Sequence, residues 1–479
     1  MMMVIIAIIV FFVLGEEVPA IDDDVEWYTN IINNAAVMPI YPLYSYFWKH
    51  VVGEANAFMA MVIFQGILAS VMTIGFTLYI RAKMQLSNIS TIIVYLCTLL
   101  PFLIYLPRCN ITQIVLTESL AFPFTYLLVY FCLRSVYDGK IKYCIYAMVL
   151  SFFLYLLRSE LLVAIALSGL MLFIQLVRLY KNSVWRVLVK LLIAGGSMIL
   201  VFATAFILHN MYLTHVVPAL NPEYRVEETV TQPDENVGVD GEVKEQKVTV
   251  DVSANTSQFR RLIANRGCYL LHDEDYVLYD DIVKQGAYLA AIDSIRANDP
   301  TGLLQDNPIS YAKPWDTQGM VSEKNVDYAI EGMVAYYQQL YPNGEINPTA
   351  LAWDDIMLFA VTAIVHHPGE LIATFVRLFF AGLQASIFYQ PQGLYVVAEL
   401  ITLAMLLVSL VMLVVGRKSS SKAIWMLRIV LLGIVVYDGI VSAVHFPLQR
   451  YLVYFQGMYF VAMYVTVVEL YRKIKNRGE

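Results

Sequence analysis

The chain has 479 residues, of which 59% are hydrophobic and only 15% are charged, and its net charge is −7. An ordinary globular chain has about 45–50% apolar and about 25% charged residues, so this chain has too few polar side chains to cover its apolar surface in water. The composition excludes an ordinary soluble protein and predicts a polytopic membrane protein, for which we expect no nucleic-acid partner. The five cysteines show no CxxC pair and no metal-ligand spacing, so no disulfide framework is expected.

Apolar stretches of about 20 residues mark membrane spans, and they predict an all-α protein with about ten transmembrane helices. The first stretch is short, and the Val18-Pro19-Ala20 sequence after it faintly resembles a signal-peptide cleavage site. No Lys or Arg precedes that stretch, which favours a retained span. The predicted spans are roughly 2–15, 56–80, 89–107, 119–134, 143–158, 161–177, 190–208, 394–416, 424–441 and 451–471.

Basic residues predict the orientation of these spans. Of the 32 Lys and Arg residues, 17 lie at every second span boundary. Lys and Arg are enriched in cytoplasmic loops, so we expect both termini in the cytoplasm, and a bacterial cytoplasmic membrane whose functional site faces outward. Residues 369–389 are apolar enough to cross but contain Arg377 in their middle. They are predicted to lie along the outer interface, or to pair with 350–365 as a membrane hairpin; both preserve the orientation.

The same topology divides the chain into three parts. An N-terminal transmembrane module, 1–208, includes a first outer loop at 16–55. A large outer loop follows at 209–393, and a C-terminal transmembrane module covers 394–479. Between 209 and 367 there are 24 acidic and 10 basic residues. We expect this large loop to be mixed in structure, with a hairpin or a disordered tongue at 227–252 and helices over 257–300.

Charged residues at the outer membrane edge are the first candidates for function. Arg108, Arg158 and Arg450 lie where Lys and Arg are usually avoided, and Glu118 and Glu160 lie at the same depth. Charges there are costly unless they are paired, hydrated or used. One interpretation is structural ion pairs, such as Arg158 with Glu118 or with a first-loop aspartate. The other is an outer cavity in which arginines bind a phosphate and carboxylates do chemistry.

The first loop adds three adjacent aspartates, and then an aromatic segment, 41–48, that is predicted to lie at the membrane interface. Several stretches then follow in a characteristic order: "PIYPLY", "LTESLAFPFTYLLVYFCLRS", "LYLLRSELLVAIAL", "AVTAIVHHPGELIATFVRLFF" and "FPLQRYLVYFQGMYF". Their order and sidedness resemble the GT-C superfamily. These are polyprenyl-phosphate-dependent membrane glycosyltransferases, which include aminoarabinose transferases and protein O-mannosyltransferases. The resemblance covers most of the chain except about 215–345.

The resemblance implies an outer-loop carboxylate as catalytic base. Asp24, four residues before Tyr28, matches that position best. Family members often have Glu directly after this Asp, but Val25 stands there and Glu26 follows, so Asp23 is a rival. The resemblance also implies donor-phosphate binding by arginines, which we assign to Arg158 and Arg450, and less directly to Arg108 and Lys49. The expected supporting residues are Asp22, Glu26, Tyr28, Glu118, Glu160, His366 and His367.

The implied reaction transfers a sugar from a polyprenyl-phosphate donor to a lipid, glycan or protein acceptor. The base deprotonates the acceptor hydroxyl, arginines stabilise the leaving phosphate, and a single displacement inverts the anomeric centre. The sequence assigns no definite cofactor, and the aspartates are suited to a divalent cation, Mg²⁺ or Mn²⁺. Three other functions stay open: an envelope polysaccharide polymerase or ligase, a lipid or solute transporter, and a non-enzymatic protein that binds a partner through the acidic loop.

Overall fold

The computed structural model describes residues 1–21, 29, 38–103, 109–179, 184–220, 258–298, 315–342, 347–387, 395–416, 421–444 and 453–478. Within these ranges the chain is helical, and its only β-type pairing is an isolated parallel bridge between Ala20 and Ile114. The prediction of an all-α protein is therefore confirmed. The predicted hairpin or tongue at 227–252 lies outside the described residues.

The described residues form sixteen α-helices of seven residues or more. Met2–Ile8 continues as a π-helical turn to Val13, and Val184–Met211 continues in the same way toward Leu220. In chain order the helices are α1 (Met2–Ile8), α2 (Ile40–Val52), α3 (Glu54–Met84), α4 (Asn88–Leu99), α5 (Glu118–Asp138), α6 (Lys142–Leu157), α7 (Leu162–Leu179), α8 (Val184–Met211), α9 (Gln258–Cys268), α10 (Ile282–Asn298), α11 (Trp315–Leu340), α12 (Pro348–His366), α13 (Pro368–Ile387), α14 (Tyr395–Val415), α15 (Lys422–Val444) and α16 (Gln456–Gly478).

Seven helical segments in the described chain are long and apolar enough to cross a membrane, so the protein is a membrane protein. Six of them contain α3, α5, α7, α8, α15 and most of α16, and they overlap spans predicted from the sequence. The seventh is α12, which falls in the stretch proposed above as half of a membrane hairpin. Four shorter apolar helices overlap the remaining predicted spans. The total of ten spans stays a prediction.

Most of these apolar helices form one bundle with a shared hydrophobic core. Phe76, Phe102, Phe122 and Tyr126 are buried in it, with their rings in edge, tilted or stacked contact. Aromatic side chains of this size bury large apolar areas, so they hold helices with few polar groups in fixed positions. We refer to these helices, α1–α8 and α14–α16, as the bundle.

Basic residues gather at one end of the bundle. Lys83 forms an ion pair with Asp138 at 2.7 Å, and its carbonyl accepts a hydrogen bond from Lys422. The Arg472 guanidinium donates to the carbonyls of Met84 and Gln85 at 3.1 Å. The C-terminal ends of α3, α5 and the start of α15 therefore meet at one face, which we call the basic end.

A second hydrophobic core lies in helices α9–α12, which we call the module. Its centre contains Tyr288, Tyr337, Ile356 and Phe359, all buried. The start of α9 is tied to neighbouring helices by ion pairs from Arg260 to Asp354 and from Arg261 to Asp327. Gly267 allows α9 to approach α12 closely, because a Cβ there would lie 2.3 Å from Cα of Ala360.

The module meets the bundle at the end opposite the basic end. Arg266, whose side chain is buried, donates to the carbonyl of Ser442 near the end of α15. From the module, α13 runs along α15, where Gly382 faces Asp438 and Phe379 lies next to Gly439. One face of α12 packs in the module core, while Leu358, Val361 and Val365 on its other face are exposed.

Candidate functional site

At the end of the bundle opposite the basic end, the segment predicted as the first outer loop is anchored to the segment before α5. The Ala20 amide donates to the carbonyl of Gln113 at 2.9 Å, and the Val115 amide donates to the carbonyl of Ala20 at 3.3 Å. Ala20 is fully buried. Ala20 is therefore held next to Val115, which precedes Glu118 by three residues. Asp22, Asp23 and Asp24 follow Ala20 directly in the chain.

Asn110 stabilises the segment that pairs with Ala20. Its side-chain nitrogen donates to the carbonyl of Val10 at 2.7 Å, and its side-chain oxygen accepts from the amide and hydroxyl of Thr112 at 2.9 and 2.6 Å. All these groups are buried, and a buried amide needs such partners because leaving one unpaired costs about 1–3 kcal/mol. Gly15 permits the close approach: its φ is +126°, and a Cβ would lie 2.2 Å from Oε1 of Gln113.

Directly beyond this anchor lies a group of three charged residues and one threonine that we call the arginine–carboxylate cluster: Thr117, Glu118, Arg158 and Glu160. Arg158 Nη1 lies 2.6 Å from Glu118 Oε1 and donates to the Thr117 hydroxyl at 2.7 Å, while its Nε lies 3.1 Å from Glu160 Oε2. The Arg158 and Glu118 side chains are only 5% and 2% exposed. The ion pair between Arg158 and Glu118, one of the two interpretations of the edge charges, is thus present.

Helix breaks place these side chains together. Arg158 ends α6 in an extended conformation, and Ser159–Leu161 form a 3-10 turn before α7. Glu118 lies in the first turn of α5, where a carboxylate is favoured by the helix dipole. Two carboxylates share one guanidinium here, so the cluster carries a formal net charge of −1. The cluster places Arg158 and the buried carboxylate of Glu118 close to Ala20, from which the chain leads into the first-loop aspartates.

Two tyrosines that the sequence did not single out lie near this region. Tyr41, in the segment predicted as an interfacial anchor, is fully buried and accepts a hydrogen bond from Gln65 at 3.2 Å. Burial raises the pKa of the Tyr41 phenol above its ordinary value, while hydrogen bonds with Ser119 and Gln65 act in the opposite direction. Tyr437 of α15 is buried within electrostatic range of Arg158, Glu160 and Glu118.

The remaining site predictions are only partly placed. Lys49 lies in the last turn of α2 and is half-buried. His366 is exposed and its Nδ1 lies 3.0 Å from the carbonyl of Thr362, so it contacts its own helix. Seven predicted site residues lie outside the described residues: Asp22, Asp23, Asp24, Glu26, Tyr28, Arg108 and Arg450. Their assigned roles stay predictions.

His367 belongs to a different group, which we call the histidine–carboxylate cluster: His272, Asp275, His367 and Glu370. His367 Nε2 lies 2.7 Å from Asp275 Oδ2, and His272 Nε2 lies 3.0 Å from Glu370 Oε2. The two imidazole rings stack with centroids 4.2 Å apart. In the part of the chain that the structure describes, His272, His367 and Glu370 are the group whose donor atoms are close enough to hold a metal ion.

An apolar cavity of about 760 Å³ opens between α13, α14 and α15. Its walls are leucine, isoleucine, valine and phenylalanine side chains, with Trp425 and Arg428 near the basic end. A lining of this kind suits a lipid tail and offers few polar groups to fix a sugar or a peptide.

Comparisons with family models, with curated proteins and with solved structures found no match to this chain.

Proposed function

We propose that the protein is an inverting glycosyltransferase that moves a sugar from a polyprenyl-phosphate donor to an acceptor at the membrane face opposite the basic end. One observation carries the proposal: the backbone pairing of Ala20 with Gln113 and Val115. It ties the aspartate-rich first loop to the segment that ends in the arginine–carboxylate cluster. The pairing supports a site that contains carboxylates and an arginine from parts of the chain distant in sequence.

In this proposal Asp24 is the general base. Four residues separate it from buried Ala20, and four residues span at most about 14 Å. A base must lie within hydrogen-bond reach of the acceptor hydroxyl, and the short tether limits where that hydroxyl binds. Asp23 is the alternative base. Asp22 and Glu26 add negative charge nearby, which favours protonation and so strengthens the base.

Arg158 and Arg450 are the proposed phosphate ligands. Arg158 is already bonded to Glu118, Glu160 and Thr117, so it would bind phosphate through a guanidinium whose orientation those groups hold. A guanidinium held in place stabilises charge that develops on the leaving phosphate without reorganising first. The apolar cavity beside α13 is large enough to take part of a lipid tail. It opens between helices whose apolar faces are also exposed.

The proposal includes ten spans, both termini in the cytoplasm, and a bacterial cytoplasmic membrane. The gathering of Lys83, Lys422 and Arg472 at one end of the bundle supports this orientation, because basic residues favour the cytoplasmic side. The arginine–carboxylate cluster, at the other end, would then face outward, where lipid-linked sugars are used in envelope assembly.

A transporter is the second candidate, and one observation favours it. Within the described residues, Asp438 of α15 is fully buried next to Gly382, and its carboxylate accepts a 3.5 Å hydrogen bond from the Ser442 hydroxyl. Ionisable residues inside membrane helices often mark ion or substrate pathways. Asp438 lies six residues from the end of α15, which places it in the half of the span farther from the basic end.

The test is mass spectrometry of envelope glycans and lipid-linked sugars in cells with the intact gene, with a deletion, and with Asp24→Asn. We expect the deletion to remove one sugar from an envelope polymer and to raise the level of its lipid-phosphate donor. Asp24→Asn should reproduce that loss at matched protein level. The control is Asp280→Asn, the same chemical change at an exposed position of the module, which should behave like the intact gene.

Each other outcome has a defined meaning. If Asp24→Asn behaves like the intact gene while Asp23→Asn reproduces the deletion, Asp23 is the base. If the deletion changes no glycan, the transferase proposal fails. The transporter is then tested directly by comparing uptake or lipid flipping in the intact protein and in Asp438→Asn.

A further inference from the structure

We propose that the histidine–carboxylate cluster binds a zinc-class divalent metal ion through His272, His367 and Glu370, and that this ion holds the start of α13 against the module. The three ligands come from separate segments: the turn between α9 and α10, the end of α12, and the first turn of α13. The proposal does not depend on the transferase function, because it concerns a different set of residues.

The distances between donor atoms fit a shared ion. All three donor atoms lie within 4.8 Å of one another. His272 Nε2 lies 3.0 Å from Glu370 Oε2, and His367 Nδ1 lies 4.0 Å from Glu370 Oε1. Two ligands of tetrahedral zinc lie about 3.3 Å apart when each bond is about 2.0–2.1 Å. The two nitrogen–oxygen distances, which end on different oxygens of Glu370, lie just below and just above that value. Small side-chain rotations therefore bring one atom of each residue to bonding distance from a shared ion.

Asp275 supplies the feature that distinguishes this cluster from a chance group of surface histidines. His367 Nε2 lies 2.7 Å from Asp275 Oδ2, and Asp275 is only 12% exposed. A proton on Nε2, donated to the carboxylate, leaves the Nδ1 lone pair free on the side of Glu370. Histidines that bind metals usually donate their second N–H to a carboxylate or carbonyl in this way.

The backbone of the second histidine is also fixed. The Tyr288 hydroxyl donates to the His272 carbonyl at 2.8 Å, and His272 precedes the 3-10 turn Asp273–Leu278. His272 Nδ1 lies 4.0 Å from Glu274 Oε1, so a carboxylate is near its second nitrogen as well. Each imidazole therefore has one carboxylate near its second nitrogen, and the two stacked rings both direct a nitrogen toward Glu370.

The ligand types select the metal. Two imidazoles with one carboxylate suit zinc and other late first-row metals, whereas Mg²⁺ and Mn²⁺ prefer oxygen ligands. The cluster is reachable from solvent, because His272, His367 and Glu370 are 34%, 21% and 53% exposed. Three protein ligands leave a fourth position for water or for an oxygen of another molecule.

The first experiment counts bound metal on the full-length protein. Protein purified in detergent is treated with a chelator, incubated with Zn²⁺, freed of excess metal, and analysed by mass spectrometry of elements. We expect one zinc per chain for the intact protein. His272→Ala, His367→Ala and Glu370→Gln should each lower zinc affinity at least tenfold, and Asp275→Asn should lower it about 10–100-fold.

His366→Ala is the matched control, because His366 is the exposed neighbour of His367 and contacts the Thr362 carbonyl of its own helix. It should bind zinc like the intact protein. Equal loss in His366→Ala and His367→Ala would overturn the proposal. So would one retained zinc in the double variant His272→Ala/His367→Ala. Glu370→Gln keeps the test valid if a histidine variant fails to fold, since Glu370 is half-exposed.

Cobalt substitution tests the ligand type without any variant. The chain contains five free cysteines, of which Cys268 lies at the end of α9. With Co²⁺ we expect weak visible bands typical of nitrogen and oxygen ligands and no thiolate charge-transfer band. A thiolate band would assign the metal to cysteines and contradict the proposal. If the ion holds α13 to the module, zinc should also raise the unfolding temperature of the intact protein and of His366→Ala, but not of His367→Ala.

Discussion

The arginine–carboxylate cluster of the bundle and the histidine–carboxylate cluster next to the module use opposite solutions for charged groups. In the bundle, Arg158 and Glu118 are almost fully buried and lie 2.6 Å apart. Near the module, His272, His367 and Glu370 are partly exposed, and the His367–Glu370 contact is 4.0 Å long. A charge removed from water needs a partner at contact distance, whereas a solvated group can stay at longer range.

This difference distinguishes a cluster that is structural by itself from a cluster that can accept a ligand. In the bundle cluster Arg158 already contacts Glu118, Glu160 and Thr117, so a substrate phosphate there must compete with these groups for Arg158. In the other cluster His272 already contacts Glu370 at 3.0 Å, but His367 Nδ1 stays 4.0 Å from Glu370 Oε1, so an added ion can join this nitrogen to the other two ligands. Four predictions test this contrast, in order of decreasing expected effect.

Replacing Arg158 with methionine should have the largest effect. It removes the guanidinium that contacts buried Glu118 at 2.6 Å and half-buried Glu160 at 3.1 Å, and breaking a buried ion pair in this way costs about 3–5 kcal/mol. The control is Arg260→Met, which breaks the exposed pair with Asp354 and should cost less than about 1 kcal/mol. Thermal aggregation of the detergent-solubilised protein measures both. Equal stability of the two variants would contradict the buried pair.

Gly15→Ala should cost about 3 kcal/mol, from backbone strain of about 1–2 kcal/mol and a close contact of about 1–3 kcal/mol. The new Cβ would meet Oε1 of Gln113 and disturb the anchor of the first loop. Gly53→Ala is the control, because Gly53 also has positive φ, +82°, but nothing lies within 4 Å of its Cβ position. The same thermal assay should show the smaller loss for Gly53→Ala; similar losses would mean that the Gln113 contact is not tight.

Gly267→Ala tests the packing of the module. Its Cβ would overlap Ala360 on α12, and overpacking of this kind costs about 1–3 kcal/mol. Hydrogen exchange should then rise in α9 and α12 and stay unchanged in the bundle helices α5 and α7. Gly369→Ala, at a position with no neighbour within 4 Å, should change exchange little. Faster exchange throughout the bundle would show that the two cores unfold together.

Alkaline pH should weaken the module slightly. Burial raises the pKa of Cys268 to about 12, with a contribution from the charge of Asp327. A raised pKa means that the folded state binds the proton more tightly. The stability is therefore full below the ordinary thiol value of about 8.5 and is lost as pH rises toward 12.

The expected loss from Cys268 between pH 7.5 and 9.5 is about 1 kcal/mol. Cys268→Ala serves as the comparison, because it removes the thiol and should lose less stability over the same range. The difference between the two proteins at the two pH values isolates the thiol from other titrating groups. No difference between them would show that Cys268 is accessible to solvent.

Much of the fold follows from local sequence. Six long apolar helices coincide with predicted spans, because each residue's preference for lipid or water depends on its own side chain. The basic residues near span boundaries meet at one end for the same reason. The segment 41–48 was predicted only as an interfacial anchor, yet Tyr41 is fully buried, since a single tyrosine fits an interface and a packed core equally well in sequence.

The residues of the candidate site also divide into those that the sequence identified and those that only the structure revealed. Sequence alone singled out Arg158, Glu118 and Glu160 by charge and position, and the family resemblance added His367. It left open whether Arg158 pairs with Glu118, and it missed His272 and Asp275 because nothing near them has metal-ligand spacing. Asn110 reaches Val10 across 100 residues, and His272 reaches Glu370 across 98.

The membrane class, the all-α architecture and the side of the basic boundaries were therefore determined by sequence, because hydropathy and charge act residue by residue. Only the tertiary structure decided that Ala20 pairs with Gln113, that two carboxylates share Arg158, and that His272 faces Glu370. Such contacts depend on how helices distant in sequence pack. Packing in turn depends on the combined shape of many side chains, such as the space left at Gly15 and Gly267, which no local pattern records.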